Sequence, residues 1–306
     1  MKKVIIIGSG CAGYTAAIYT ARANLSPLIY SGTETGGQLM LTSEVENYPG
    51  FPEGIMGPEL MDRMRAQAEK FGTQIVYDVA ESVDFSKRPF SVTPANGEPQ
   101  QAESVIISTG ATAKWIGLES EKKFFGKGVS ACAVCDAAFY KGKEVCVVGG
   151  GDTAMEESMF LTKFASKVTL IHRRNEFRAS KIMQERAVKS GKIQFVYDSV
   201  VEEVLGADAV KGVKVRNLKN QSVGEIVCAG LFVAIGHQPN TKIFADQINL
   251  DSKGYIATQG YVKTNVPGVF ACGDVMDSVY RQAISAAGTG CMAALEAERY
   301  LEALHN

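Results

Sequence analysis

Twice in this chain a short apolar, β-branched run stops at a cluster of glycines and gives way to helical periodicity. Residues 4–7 (VIII) lead straight into Gly8-Ser9-Gly10-Cys11-Ala12-Gly13, and residues 145–148 (VCVV) lead into Gly149-Gly150-Gly151-Asp152-Thr153-Ala154. The spacings are G-x-G-x-x-G and G-x-G-x-x-A. Glycine is needed there because the turn is tight, the backbone must approach a pyrophosphate, and the following helix must pack closely on the strand. The helix start then offers free N–H groups and a partial positive charge to the phosphates. Each pattern alone also fits an ordinary tight turn. Placement directly behind a strand and at the mouth of a helix favours a dinucleotide cradle in both places.

Around these marks strand and helix signals alternate, the pattern of α/β domains with parallel sheets. Helices are expected at 12–23, 59–71 and 285–304, strands at Leu28–Tyr30, 104–108 and 168–171, and mostly loop through the Gly/Pro-rich stretch 36–58. The run GLFVAIG at 230–236 repeats the shape of SVIISTGA at 104–111, with the second cradle between them. The expected fold class is therefore α/β, with two nested Rossmann-like dinucleotide-binding domains. Its parts are residues 1–112 and 243–306 for one domain and 113–242 for the other, inserted into it. Lys plus Arg total 32 against 33 Asp plus Glu, a net charge of -1. That balance argues against nucleic acid or an anionic membrane as the main partner. No run reaches the ~18 to 20 apolar residues of a membrane span, and Gly8 and Gly10 interrupt the N-terminal apolar run too early for a signal peptide.

The residues past each second strand separate the two cradles. After 168–171 stand His172-Arg173-Arg174, with Arg178 four further on. A cradle for NAD would place an acid here; basic groups suit a ribose 2'-phosphate, so this half is expected to take NADPH, the bland alternative being a solvated basic loop. Asp152 is expected to cap its helix and point away from the phosphates. After Leu28–Tyr30 come Ser31 and Gly32, with no acid before Glu34, so a ribose contact there stays open. Two cradles imply two nucleotides, and a nicotinamide needs a hydride acceptor. A flavin, FAD, is the economical second cofactor.

Cys132-Ala133-Val134-Cys135-Asp136 carries the remaining chemistry. A structural zinc site needs four ligands, usually from a second C-x-x-C or paired histidines, and His172, His237 and His305 lie far apart. No metal is expected, and the pair reads as a redox dithiol or, more blandly, an inert one. One thiol would attack an external disulfide as thiolate and the other resolve the mixed disulfide. Asp136 reads either as the proton donor and acceptor of those steps, which needs a pKa raised by burial, or as a helix cap. The remaining five of seven cysteines sit in apolar or small-residue segments as packing groups, and the odd count suits a reducing cytosol better than a secreted disulfide framework.

Over essentially the whole chain the segments together resemble one family, the low-molecular-weight, bacterial-type thioredoxin reductases among the pyridine nucleotide-disulfide oxidoreductases. The carriers are GSGCAG at 8–13, GGQL at 36–39, ENYPG at 46–50, GVSACAVCD at 128–136, GGGDTAMEE at 149–157, HRRNEFRA at 172–179, GLFVAIGHQPN at 230–240, and VFACGDV with YRQA within 269–283. The resemblance implies a cytoplasmic homodimer that passes electrons from NADPH through FAD to the C-x-x-C disulfide and on to thioredoxin. It implies FAD contacts at Gly8, Gly10, Gly13, Gln38, Asn47, Thr109, Asp274, Gln282 and Ala283. NADPH contacts are implied at Gly149, Gly151, Thr153, His172, Arg173, Arg174 and Arg178. Cys135 matches the thiol nearer the flavin, Cys132 the thiol that attacks thioredoxin, and Asp136 the acid. Hinges for a rotation of one domain on the other are implied near 111–116 and 236–243. Two places depart from the family pattern: Asp136 is followed by Ala137-Ala138 before Phe139-Tyr140, and a usual arginine is Lys127. Both lie where the family meets thioredoxin, so another disulfide carrier stands as the alternative substrate. A ferredoxin-type NADP reductase or a redox sensor on the same scaffold is a more distant one.

Overall fold

The computed structural model describes residues 1–42 and 44–305. The chain divides into two units, one formed by Met1–Thr112 with Gln238–Asn306 and the other by Ala113–His237. The return crossing thus falls at 237/238 rather than at 242/243. Residues 238–242 join the first unit through hydrogen bonds: Asn240 N–H donates to the Gly110 carbonyl at 3.0 Å, and Thr241 Oγ1 donates to the Gly254 carbonyl at 2.9 Å.

The first unit is built on a seven-stranded sheet. Its order is Gln74–Val76, Leu28–Tyr30, Lys2–Ile7, Gln100–Ile107, Phe90–Pro94, Ala80–Asp84, with Val269–Ala271 also pairing with Gln100–Ile107. Within Lys2–Ile7, residues 4–7 are apolar without alternation because they are covered on both sides, as parallel strands are. Val4 and Ile6 enter one core while Ile5 and Ile7 enter the other. Each such side chain contributes on the order of 1.5–3 kcal/mol by its burial. The first core is closed by the helices Cys11–Arg22 and Ala283–His305. Their small residues let them touch backbone to backbone: a Cβ on Gly290 would stand 2.2 Å from the Ala12 carbonyl oxygen.

The second unit repeats the plan with a five-stranded parallel sheet in the order Val129–Ser130, Gly230–Ala234, Glu144–Gly149, Lys167–Ile171, Ile193–Val196. Val145 and Val147 face one core and Cys146 the other. A separate antiparallel sheet of Ser199–Gly206, Val210–Asn217 and Val223–Val227 covers that second core. In each unit the chain moves from the cradle strand to one side for its next two sheet neighbours and returns later on the other side. The crevice at this reversal, outside the carboxyl ends of the strands, is where open α/β sheets bind ligands, and both glycine clusters lie there.

Candidate functional site

At the first cradle the three glycines do different work. Gly8 has φ +110°, a left-handed conformation that strains any other residue, and a Cβ on it would stand 2.3 Å from the Ser108 carbonyl oxygen. A Cβ on Gly13 would stand 2.0 Å from the Gly8 carbonyl oxygen, so the helix packs directly on the turn. At Gly10 a Cβ would meet nothing within 4 Å. The missing side chain there leaves bare backbone facing open space at the start of a 12-residue helix, the geometry a pyrophosphate needs.

The second cradle matches it position for position. A Cβ on Gly149 would stand 2.5 Å from the Ala234 carbonyl oxygen, while one on Gly151 would meet nothing within 4 Å. Each unit therefore presents bare backbone to open space at the start of its cradle helix.

Every residue assigned to FAD falls in the first unit, and every residue assigned to NADPH or to thiol chemistry falls in the second. In the first unit Asn47 Nδ2 donates to Gln282 Oε1 at 3.3 Å across 235 residues of sequence. Ala283 follows at the start of the long helix. Gln38 Nε2 donates to the Ala111 carbonyl. Thr109 Oγ1 donates to the Asn240 carbonyl and Asn240 Nδ2 donates back to the Thr109 carbonyl, both at 2.8 Å. Asn240 lies inside the HQPN motif, and its reciprocal bond to Thr109 is a feature the sequence reading did not single out. Asp274 stands in the turn Gly273–Val275. A Cβ on Gly273 would lie 2.8 Å from Ala12 Cβ, so this turn abuts the cradle helix. Burial pushes the Asp274 carboxyl up to about 7, with Asp277 adding to the rise and Arg281 opposing it.

In the second unit Arg173, Arg174 and Arg178 are all exposed, and none forms an ion pair among the described residues. Their loop is tied to the cradle by backbone: the N–H groups of Arg178 and Ala179 donate to the Gly150 carbonyl at 2.7 and 3.1 Å. His172 is 6% exposed, stacks near Phe177 with ring centroids 5.0 Å apart, and pairs through Nε2 with the Glu176 carbonyl at 2.9 Å. Its imidazole fills the space beside Gly150, where a Cβ would stand 2.1 Å from the ring. Thr153 is half-buried in the first turn of the cradle helix Asp152–Leu161. Asp152 does point away, but toward another helix: Oδ1 accepts the Ser180 N–H at 2.7 Å, just ahead of Lys181–Lys189.

Cys132 and Cys135 form a disulfide with Cα atoms 5.3 Å apart. The short helix Ala133–Asp136 starts between them, so the Cys135 N–H donates to Cys132 Sγ at 3.2 Å. The Cys132 N–H donates to Ser130 Oγ at 3.0 Å. Cys132 is half-buried and Cys135 exposed. Burial pushes the Asp136 carboxyl upward, partly offset by a hydrogen bond with Ser130. Ser130 thus touches both the redox pair and the acid, and two residues ahead of a C-x-x-C it carries no signal by itself. Of the two aromatics that follow, Tyr140 is buried against Phe232, with ring centroids 5.2 Å apart, leaving Val134, Ala138, Lys127 and Lys141 as exposed neighbours of the disulfide in sequence.

Comparison with known proteins agrees with this geometry. Residues 2–290 match the family described as pyridine nucleotide-disulphide oxidoreductase. A thioredoxin reductase from Rickettsia conorii is 55% identical over 303 residues, covering 98% of each chain. One from Coxiella burnetii is 51% identical over 311 residues, covering 99% of this chain and 97% of its own. The solved structure of thioredoxin reductase from Giardia duodenalis is 43% identical, covers 98% of both chains and superposes with a TM-score of 0.94. The chain belongs to the pyridine nucleotide-disulphide oxidoreductases, among their thioredoxin reductases.

Proposed function

We propose that this protein uses NADPH and FAD to reduce the disulfide of thioredoxin through Cys132 and Cys135. The single observation that carries the reading is the placement of the Cys132–Cys135 disulfide in the same unit as a cradle edged by three exposed arginines, with a second cradle in the other unit. FAD fits the first cradle, where Gly8 and Gly13 close the turn and Gly10 leaves bare backbone. Gln38, Asn47, Thr109, Asp274, Gln282 and Ala283 would hold the rest of the cofactor. Bound there, FAD supplies the two-electron relay between a hydride donor and a disulfide. NADPH fits the second cradle, its pyrophosphate at Gly149, Gly151 and Thr153 and its 2'-phosphate at Arg173, Arg174 and Arg178. His172 supports that site by packing beneath it.

Once the dithiol is reduced, the Cys132 sulfur attacks a sulfur of the thioredoxin disulfide and one thioredoxin thiolate leaves. The N–H of Cys135 stabilises negative charge on the Cys132 sulfur, as hydrogen bonds to a charged form do. Cys135 then attacks Cys132, which restores the intramolecular disulfide and releases the second thioredoxin thiolate. Asp136, held protonated more readily than an exposed aspartate, delivers a proton to a leaving thiolate.

A homodimer is supported by an exposed apolar row on the long C-terminal helix, Ile284, Met292 and Leu295, with Tyr19 of the cradle helix hydrogen-bonded to Cys291 beside it. A cytoplasmic site is supported by five free cysteines among the described residues, where no helix is long and apolar enough to cross a membrane. The balanced charge favours a protein disulfide over nucleic acid as partner. The test is steady-state NADPH oxidation by the purified protein with thioredoxin from its own organism. Cys132→Ser and Cys135→Ser should each abolish it. Turnover that survives both substitutions, or that responds only to another disulfide carrier, refutes the proposal.

A further inference from the structure

We infer that Ser9 is the positioning residue of the first cradle, and that its hydroxyl arranges the FAD site before FAD binds. The inference rests on the reading that this unit holds FAD. Ser9 occupies the middle of G-x-G and is 2% exposed. Its Oγ donates to the Ser31 carbonyl at 2.7 Å and accepts the Gly36 N–H at 2.9 Å. The Tyr14 hydroxyl makes a further hydrogen bond with Ser9. The hydroxyl's single donor is committed to Ser31 and one of its lone pairs to Gly36, and each lies on a different piece of chain.

Both of those pieces flank the nucleotide. Ser31 is the first residue past Leu28–Tyr30, where a Rossmann unit contacts the ribose. Gly36 opens the glycine pair that carries Gln38, and a Cβ on Gly37 would stand 3.4 Å from Gly10 Cα, so this loop passes beside the cradle and leaves its open face clear. Paired glycines are costly to order because they are free to adopt so many conformations. Left loose, that ordering would weigh on every FAD binding event. The Ser9 hydroxyl orders the loop within the protein itself.

The second unit joins the same two places differently. Its middle residue is Gly150, and the space its side chain would take is filled by the ring of His172, the first residue past Lys167–Ile171. In each unit the middle position of the cradle is where the turn meets the end of the second strand, by hydrogen bonds in one and by ring packing in the other. Only the first makes the link with a side chain of the cradle, so only the first is lost by shaving one oxygen.

The experiment strips flavin from the full chain and titrates it with FAD, in the wild type and in Ser9→Ala, with NADPH affinity as the internal reference. Ser9→Ala should raise the FAD dissociation constant by about tenfold or more and leave that of NADPH unchanged. In the stripped wild type the Gly36 amide should already be protected from hydrogen exchange, and in Ser9→Ala that protection should be lost. Wild-type FAD affinity in Ser9→Ala, or a parallel loss of both nucleotides, overturns the inference. So does a Gly36 amide that exchanges freely in the stripped wild type, a result that needs no variant to fold. Failure of the wild type to take up FAD would instead refute the functional reading, and the exchange measurement would still decide whether the clamp exists.

Discussion

The two cradles are built to one plan and fastened by different chemistry. In both, the first glycine lies against the carbonyl oxygen of a neighbouring strand's end, Ser108 in one and Ala234 in the other, and the third position packs the helix on the turn. In both, the second glycine of the motif faces open space. The difference lies past the second strand. The first unit ends it in Ser31 and a hydroxyl network, whereas the second ends it in His172 and an exposed arginine loop hung on the Gly150 carbonyl. On the proposed function, what is shared would hold a pyrophosphate and what differs would choose the nucleotide.

The largest expected effect follows from the shared part. Gly13→Val would drive a side chain into the Gly8 carbonyl, a backbone atom that cannot step aside, and should cost more than ~4 kcal/mol, enough to lose the fold. Gly10→Val enters open space, so the stripped protein should melt near the wild-type temperature while FAD affinity falls by about 100-fold, ~2.8 kcal/mol. Melting curves and FAD titrations on both variants check the pair. Equal damage from the two substitutions would break the distinction between glycines that close the turn and the glycine that admits the phosphate.

A smaller effect tests what differs. Arg173→Ala with Arg174→Ala should narrow the preference for NADPH over NADH by ~10-fold or more, at ~1.4 kcal/mol per tenfold, and leave FAD content unchanged. An unaltered preference would move the 2'-phosphate elsewhere. The last effect, on stability alone, concerns Asp274 in the flavin unit. Its folded pKa of about 7 lies above the ordinary 3.8, so the folded state holds the proton more tightly than the unfolded one. Stability of the stripped protein should therefore fall as pH rises from about 4 through about 7 and level off above that. Asp274→Asn should flatten this part of the curve, a difference of roughly a few degrees in Tm. A steeper decline in the variant would contradict the sign.

What was legible in the sequence follows the same physics. Strands buried on both faces announce themselves as uninterrupted apolar runs, so Leu28–Tyr30 and the cores of Lys2–Ile7 and Glu144–Gly149 could be read directly. The antiparallel strands Ala80–Asp84, Phe90–Pro94 and Ser199–Gly206 mix buried positions with half-buried or exposed ones and left no such mark. The helix expected from residue 59 begins at Gly57, because Pro58 suits a first helical turn. Within the site, the cradles, the arginines and the C-x-x-C are local in sequence and stood out. Asn47 and Gln282 came only through resemblance, and the contact between them, which spans most of the chain, has no mark in the sequence. Ser9 was visible as a letter of the motif, but its partners at Ser31 and Gly36 are a matter of folding, not of spacing.

The central claim is that one chain holds a flavin and a dithiol in series. Anaerobic titration of the FAD-loaded protein with a chemical reductant counts what it accepts. The wild type should take up about four electrons per chain, two for FAD and two for the Cys132–Cys135 disulfide, and Cys135→Ser should take up about two. Two electrons in the wild type, or four in Cys135→Ser, would contradict the account.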